Sequence, residues 1–198
     1  MRTIFLSFFL LATSLVWAQD EAPAKWALSL DFGNYNASLA VPSFQAFHPG
    51  ARIGLHYQWN NNPQHRWQQS AYLGYFNHPL YQQAVQLYTE ISYEWHAPQG
   101  LYIRPLALGG GYLMSIGSFP TLDWDEQSQT YIENNIPIRN QWMISLGSEL
   151  GYTFDFGPQP TLFAAYRLLV HGIVVQSTVP VISYSPLMLG VRIPFVMP

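Results

Sequence analysis

The chain has 198 residues, 49% hydrophobic and 16% aromatic but only 10% charged, against about 25% charged in an average soluble domain. A formal net charge of −3 argues against a nucleic-acid partner. The absence of cysteine excludes disulfides, thiolate metal sites, a cysteine nucleophile and a lipid anchor on an N-terminal cysteine. Outside the N-terminus no apolar run reaches the ~18 residues of a membrane helix.

The N-terminus reads as a secretory signal. Arg2 is a positive start, Ile4 to Val16 form a short apolar stretch, and Val16-Trp17-Ala18 fits a cleavage site. Residues 1–18 are expected to be removed after Ala18, leaving Gln19 as the new terminus of a single domain over 19–198. From Trp26 onward, apolar and polar residues alternate with period two, the mark of strands with one apolar and one polar face. Leu28, Leu30 and Phe32 alternate with Ser29, Asp31 and Gly33. Ile53, Leu55 and Tyr57 alternate with Arg52, Gly54 and His56, and Trp67, Ala71, Leu73 and Tyr75 with Gln68, Ser70 and Tyr72. The clearest strand is AVQLYTEISYEW, with Val85, Leu87, Thr89, Ile91, Tyr93 and Trp95 opposite Gln86, Tyr88, Glu90, Ser92 and Glu94.

The fifth strand, LYIRPLAL, is the least regular. If Arg104 points inward, Leu106 and Leu108 follow it inward, unless a bulge at Pro105 flips the parity. Gly109-Gly110-Gly111 then relieves crowding or permits curvature, and a long polar loop is expected from about Ser115 to Arg139. Trp142, Ile144, Leu146, Leu150, Tyr152 and Phe154 share the next apolar row, opposite Ser145, Gly147 and Glu149. Leu162 to Val170 follows with Arg167 inward. After a loop around Gly172 to Pro180, Leu187 to Phe195 closes the pattern with Arg192 inward.

Eight strands joined alternately by short turns and longer loops imply an all-β, eight-stranded antiparallel up-and-down transmembrane β-barrel. The short turns, NNNPQ, HAPQG and DFGPQ, then face the periplasm together with both termini. Trp26, Trp59, Trp67, Trp95, Tyr102, Phe154 and Phe195 all fall at that rim, an expected aromatic girdle. The inward charges are Asp31, Glu90, Glu94 and Glu149 against Arg52, Arg104, Arg167 and Arg192. Four acids balance four arginines in an interior wide enough only for side chains or one small ligand. A plugged lumen held by cross-strand ion pairs is expected, with Arg104 and Arg167 near Glu149 and Arg192 near Asp31.

On this patterning and the alternating final strand ending in Phe195, the chain resembles the small eight-stranded outer-membrane barrels of the OmpA/OmpX type, in the porin-like superfamily. The resemblance implies residence in the outer membrane and contact with its lipid. The group's roles span adhesion, structure, transport and lipid modification.

His48, His78 and His171 lie near extracellular strand ends but on separate hairpins, so they read as unrelated edge residues rather than as metal ligands. DWDEQSQTYIEN departs from a calcium loop, with Ser128 where glycine is needed and Asn134 where glutamate is needed. The His–Ser–Glu arrangement of barrel lipid A hydrolases is not matched, since Glu90 reads as inward and no His-Ser-Asn motif occurs. No phosphate loop, nucleotide fingerprint or nucleophile elbow appears. No catalytic residue, metal or cofactor is therefore assigned. The leading expectation is a non-enzymatic barrel whose loops meet an extracellular or surface partner. A small-solute channel is the second reading and an outer-membrane lipid-modifying enzyme the third.

Overall fold

The structure, a computed structural model, describes residues 25–37, 46–79, 82–117, 121–134, 138–175 and 179–196. The expected signal segment, residues 1–18, lies outside the described residues, as do residues 38–45 of the first long loop. Ten strands are formed: β1 (Trp26–Asn36), β2 (Pro49–Gln58), β3 (His65–His78), β4 (Gln82–His96), β5 (Leu101–Gly117), β6 (Thr121–Asp125), β7 (Thr130–Asn134), β8 (Ile138–Thr153), β9 (Thr161–Val175) and β10 (Val179–Phe195). Eight of them close into an antiparallel barrel in the order β1-β2-β3-β4-β5-β8-β9-β10, with β10 returning to β1. Closure pairs the backbone of every barrel strand on both sides, which a chain in hydrocarbon requires. The eight-stranded up-and-down transmembrane barrel expected from the pattern is the fold.

The period-two rows are laid out as the pattern predicts. Leu28, Phe32, Ile53, Leu73, Leu87, Ile144 and Leu189 are exposed on the outer wall, while Ser29, Asp31, Arg52, Ser70, Glu90 and Ser145 are buried inside. At Pro105 the bulge is present. Arg104 pairs with Glu149 and Ala107 with Gly147, so β5 spends one residue more than β8 over the same step. Parity therefore flips: Arg104 and Ala107 are buried, and Leu106 and Leu108 are exposed. A proline that cannot donate to the ladder is tolerated because the bulge leaves its position out of register. Farther along, a Cβ on Gly111 would run into Tyr88 and the Leu87 carbonyl of β4, so this position needs glycine for the strands to approach.

Two of the expected loops are corrected. The stretch 115–139 is not a plain loop: β5 continues to Gly117, β8 begins at Ile138, and β6 and β7 pair as a separate two-stranded ribbon. Likewise β9 runs to Val175 and β10 starts at Val179, extending the barrel wall through most of the expected 172–180 loop. Local polar residues that carry no periodicity signal drive the turns. In NNNPQ, Asn60 Oδ1 accepts from the Trp67 amide at 3.0 Å, and Asn62 Oδ1 accepts from the amides of Gln64 and His65 at 2.9 and 3.0 Å. In HAPQG, Gly100 takes φ +88°, a left-handed turn conformation open to glycine.

One residue of the expected girdle is misassigned. Tyr102 is fully buried inside the barrel. It stands two residues from inward Arg104, before the bulge, so period two puts both on one face; its height is that of the rim, but parity decides the side. The other girdle residues ring the short-turn end: Trp26 packs on Tyr57 at 4.7 Å and pairs in register with Phe195, and Trp67 packs on Tyr93 at 5.4 Å. Trp59 and Trp95 are exposed there, and Phe154 lies just past β8 against Tyr152. At the opposite end Tyr75, Tyr112 and Trp142 form outward counterparts. From Trp142 to Tyr152 along β8, at about 3.3 Å per residue and a tilt of roughly 40°, the height is roughly 25 Å, that of a barrel's apolar band.

Leu146 sits midway along this band, level with Leu108 and Leu168. Leu146→Arg should cost about 2–4 kcal/mol in urea unfolding from lipid vesicles, whereas Gln69→Arg, near the rim, should cost about 0–1 kcal/mol. Equal costs would contradict the assigned depth.

Candidate functional site

All eight charges assigned to the interior are buried there. Their centre is a closed ring of four. Arg104 donates to Glu94 Oε1 from Nε at 3.0 Å and Nη2 at 2.5 Å, and to Glu149 Oε2 from Nη1 at 3.0 Å. Arg192 donates to Glu94 Oε1 at 2.7 Å and also pairs with Glu149 Oε1. Each arginine thus touches both glutamates and each glutamate both arginines. In the barrel order β10 and β4 are diametrically opposite, so the Arg192–Glu94 pair spans the full lumen.

Further hydrogen-bonding groups complete the shell. Gln68 Nε2 donates to Glu94 Oε2 at 2.9 Å, His96 Nε2 lies 2.9 Å from the same oxygen, and the Tyr102 hydroxyl donates to Glu149 Oε1 at 2.5 Å. Arg167 links this ring to the next level, donating to Glu149 Oε2 at 3.2 Å and to Glu90 Oε1 at 3.1 Å, where Ser145 also donates at 2.5 Å. Gly147 makes room for it, since a Cβ there would occupy the Arg167 side chain. Removing two charges from water costs several kcal/mol per ion, and multiple charge-assisted hydrogen bonds to each carboxylate offset that cost.

The second cluster differs from the expected pairing. Asp31 does not meet Arg192. It faces Arg52 directly in register and accepts from its Nη2 at 2.8 Å and Nε at 3.0 Å. Across the β1–β10 seam, Asp31 stands opposite Gly190 while Arg192 stands opposite Ser29, and this offset sends Arg192 across the lumen instead. Arg52 also bonds the Tyr88 hydroxyl and lies over the Tyr72 ring at 4.0 Å, a desolvated cation–π contact. His56 bridges Ser70 and Ser29, each at 2.8 Å.

Toward the long-loop end the filling turns aromatic. Tyr35 stacks on Phe76 at 4.7 Å, Phe76 packs on Tyr184 at 4.9 Å, and Tyr184 on His171 at 5.4 Å. His48 and His78, read as unrelated in sequence, stack at 3.7 Å with planes 10° apart. A metal binds in the plane of an imidazole, so two parallel stacked rings do not converge on one ion. Among the described residues no three His, Asp or Glu side chains are grouped to hold a metal. The acidic stretch likewise folds on itself: the Ser128 hydroxyl at 2.7 Å and the Gln127 amide at 3.1 Å hold the exposed Asp125 carboxyl below its usual range.

The sequence reading missed the partners Tyr88, Gln68, His96 and Tyr102. All four share the parity of an inward row, Tyr102 with Arg104 and His96 with Glu94, so parity was available as a signal; their contacts across the lumen depend on shear, which parity does not carry.

No protein-family model matches the chain, and no curated protein matches it. Solved structures do. Neisserial surface protein A aligns over 88% of this chain and 100% of its own, with 18% identity and a TM-score of 0.60. The outer membrane enzyme PagL aligns over 85% of this chain and 99% of its own, with 15% identity and a TM-score of 0.48. Ail, the attachment invasion locus protein of Yersinia pestis, aligns over 86% of this chain and 99% of its own, with 11% identity and a TM-score of 0.45. The chain has the fold of the small eight-stranded outer-membrane barrels. These identities carry no residue roles, so the site rests on its own geometry.

Glu149→Gln should destabilise the barrel by about 3–5 kcal/mol, because it leaves buried guanidinium charge uncompensated. Glu126→Gln, in the exposed β6–β7 turn, should leave stability unchanged within about 0.5 kcal/mol. Heat-modifiable migration and urea unfolding of the two variants make the comparison.

Proposed function

We propose that the protein is a non-enzymatic outer-membrane β-barrel that performs a structural or binding role at the cell surface, with its lumen closed. The observation that carries this reading is the ring of Arg104, Glu94, Arg192 and Glu149 joining opposite walls of the barrel. The aromatic layer around Tyr35, Phe76 and Tyr184 supports the same reading at the long-loop end. The apolar outer rows and the aromatic residues at both ends support contact with outer-membrane lipid. The signal-like residues 1–18 support export, and the shared fold with a Neisserial surface protein agrees with a surface role. In this placement the short turns face the periplasm, and the long-loop side, including the β6–β7 ribbon, is offered to an extracellular or surface partner.

A narrow conduit for a small solute is the second reading. What favours it is a set of buried polar atoms without protein partners: both amide atoms of Gln86, Glu90 Oε2 and Ser92 Oγ. Such atoms call for water. A lipid-modifying enzyme has less support, because Glu90 faces the lumen and is committed to Arg167 and Ser145.

Two measurements separate the readings. Fractionation should recover the chain in the outer membrane beginning at Gln19; recovery as a soluble periplasmic protein would overturn the proposal. In planar bilayers the parent should show no steady conductance. Conductance in the parent, rising further in Glu149→Gln, would make the charges a gate.

A further inference from the structure

The short-turn mouth of the barrel opens into a cavity of about 980 Å³, at the upper end of the size range of small-molecule sites. His56, Gln68 and Arg192 form its floor, and Lys25 and Arg66 stand on its wall. Asp155 is the one carboxylate among the described residues that line it. The charge of Arg192 is already met by Glu94 and Glu149. Lys25 and Arg66 make no ion pair among the described residues, so against the single Asp155 they leave the cavity lining with an excess of positive charge, in a protein whose net charge is negative.

Arg66 is the unusual member. It is half-buried, and its Nε donates to the Pro63 carbonyl at 3.2 Å. Its terminal nitrogens make no ion pair among the described residues, although each inward arginine of the lumen network is paired to a carboxylate. The register explains why. Arg66 stands opposite Glu94 on β4, but both oxygens of Glu94 are occupied by Arg104, Arg192, Gln68 and His96. Saturating that carboxylate leaves a guanidinium fork without an anion, at the edge of a cavity with low-dielectric walls. Such walls strengthen the field of an unbalanced cation, and a free guanidinium fork matches the two oxygens of a phosphate or carboxylate.

We propose that this vestibule binds an oxyanion, a phosphate or carboxylate group, gripped by Arg66 with Lys25 as its second positive charge. The anion answers the Arg66 fork that Glu94, engaged in the ring, does not. Its source is either a soluble organic anion or the phosphate of a lipid headgroup at the rim.

Sodium pyrophosphate is the probe, titrated into the folded barrel in neutral detergent micelles and followed by calorimetry and by tryptophan fluorescence, since Trp26 lines the cavity. The parent should bind it saturably, and added salt should weaken the binding. Arg66→Gln should weaken it by roughly tenfold or more while unfolding in urea like the parent, and Arg139→Gln, on β8 at the other end, should bind like the parent. If Arg66→Gln fails to fold, Arg66→Lys, which keeps the charge and loses the fork, makes the same comparison and should weaken binding less. Displacement of pyrophosphate by phosphatidylglycerol added to the micelles would assign the site to headgroups. Indifference to that lipid would assign it to a soluble anion. No saturable binding by the parent, or undiminished binding by the Arg66 variants, overturns the proposal.

Discussion

The ion pair between Arg192 and Glu94 is the interaction on which the interior depends. It joins β10 to β4, strands that share no backbone hydrogen bonds and stand on opposite walls. A closed sheet is already complete in its backbone pairing, so only side chains can brace it across the bore. Arginine suits this task because of its reach and its planar fork, which holds two carboxylates at once. Around that brace the remaining donors follow: with Glu94 shared by two arginines and Glu149 by three, Gln68, His96 and Tyr102 take lone pairs that are left.

The ring also accounts for where the small residues lie. Arg167 reaches Glu149 and Glu90 by passing over Gly147, its register partner on β8. A side chain at 147 would block that path, so the glycine is part of the charge network although it carries no charge. Ser145, next along the same inward row, hydrogen-bonds Glu90 rather than filling space. Gly147 thus makes room and Ser145 donates, and neither role is visible from hydrophobicity.

What was legible in the sequence was parity. Period two assigns a face to each residue, and it placed Asp31, Arg52, Glu90, Glu94, Arg104, Glu149, Arg167 and Arg192 inside. It also located the irregularity at Pro105, because only a bulge reconciles inward Arg104 with outward Leu106. Tyr102 shares the parity of Arg104 and lies inside, although its height is that of the rim. The pairing partners were not legible, because they depend on shear, and shear is fixed by hydrogen bonding around the whole closed ring. Asp31 illustrates this: it was matched to Arg192 across the β1–β10 seam, yet the register sets Gly190 opposite it and gives it Arg52 on β2 instead. The β6–β7 ribbon escaped for a different reason. Its five-residue strands are too short for alternation to stand out.

The two halves of the bore are lined by different chemistry, and this bears on how each can change. The long-loop half is filled by stacked rings, Tyr35, Phe76, Tyr184 and His171, whose contacts are short-ranged and weakly directional. The turn-side half is braced by ions, in which loss of one partner leaves another charge stranded in a poor solvent. Motion in the aromatic half can proceed ring by ring, since each rotation forfeits only its own contacts. Motion in the ionic half must move Arg104, Arg192, Glu94 and Glu149 together, because every member serves two others. A solute path through this barrel would therefore be limited at the ring. For the same reason the ring is a fixed floor against which the mouth cavity and Arg66 are set.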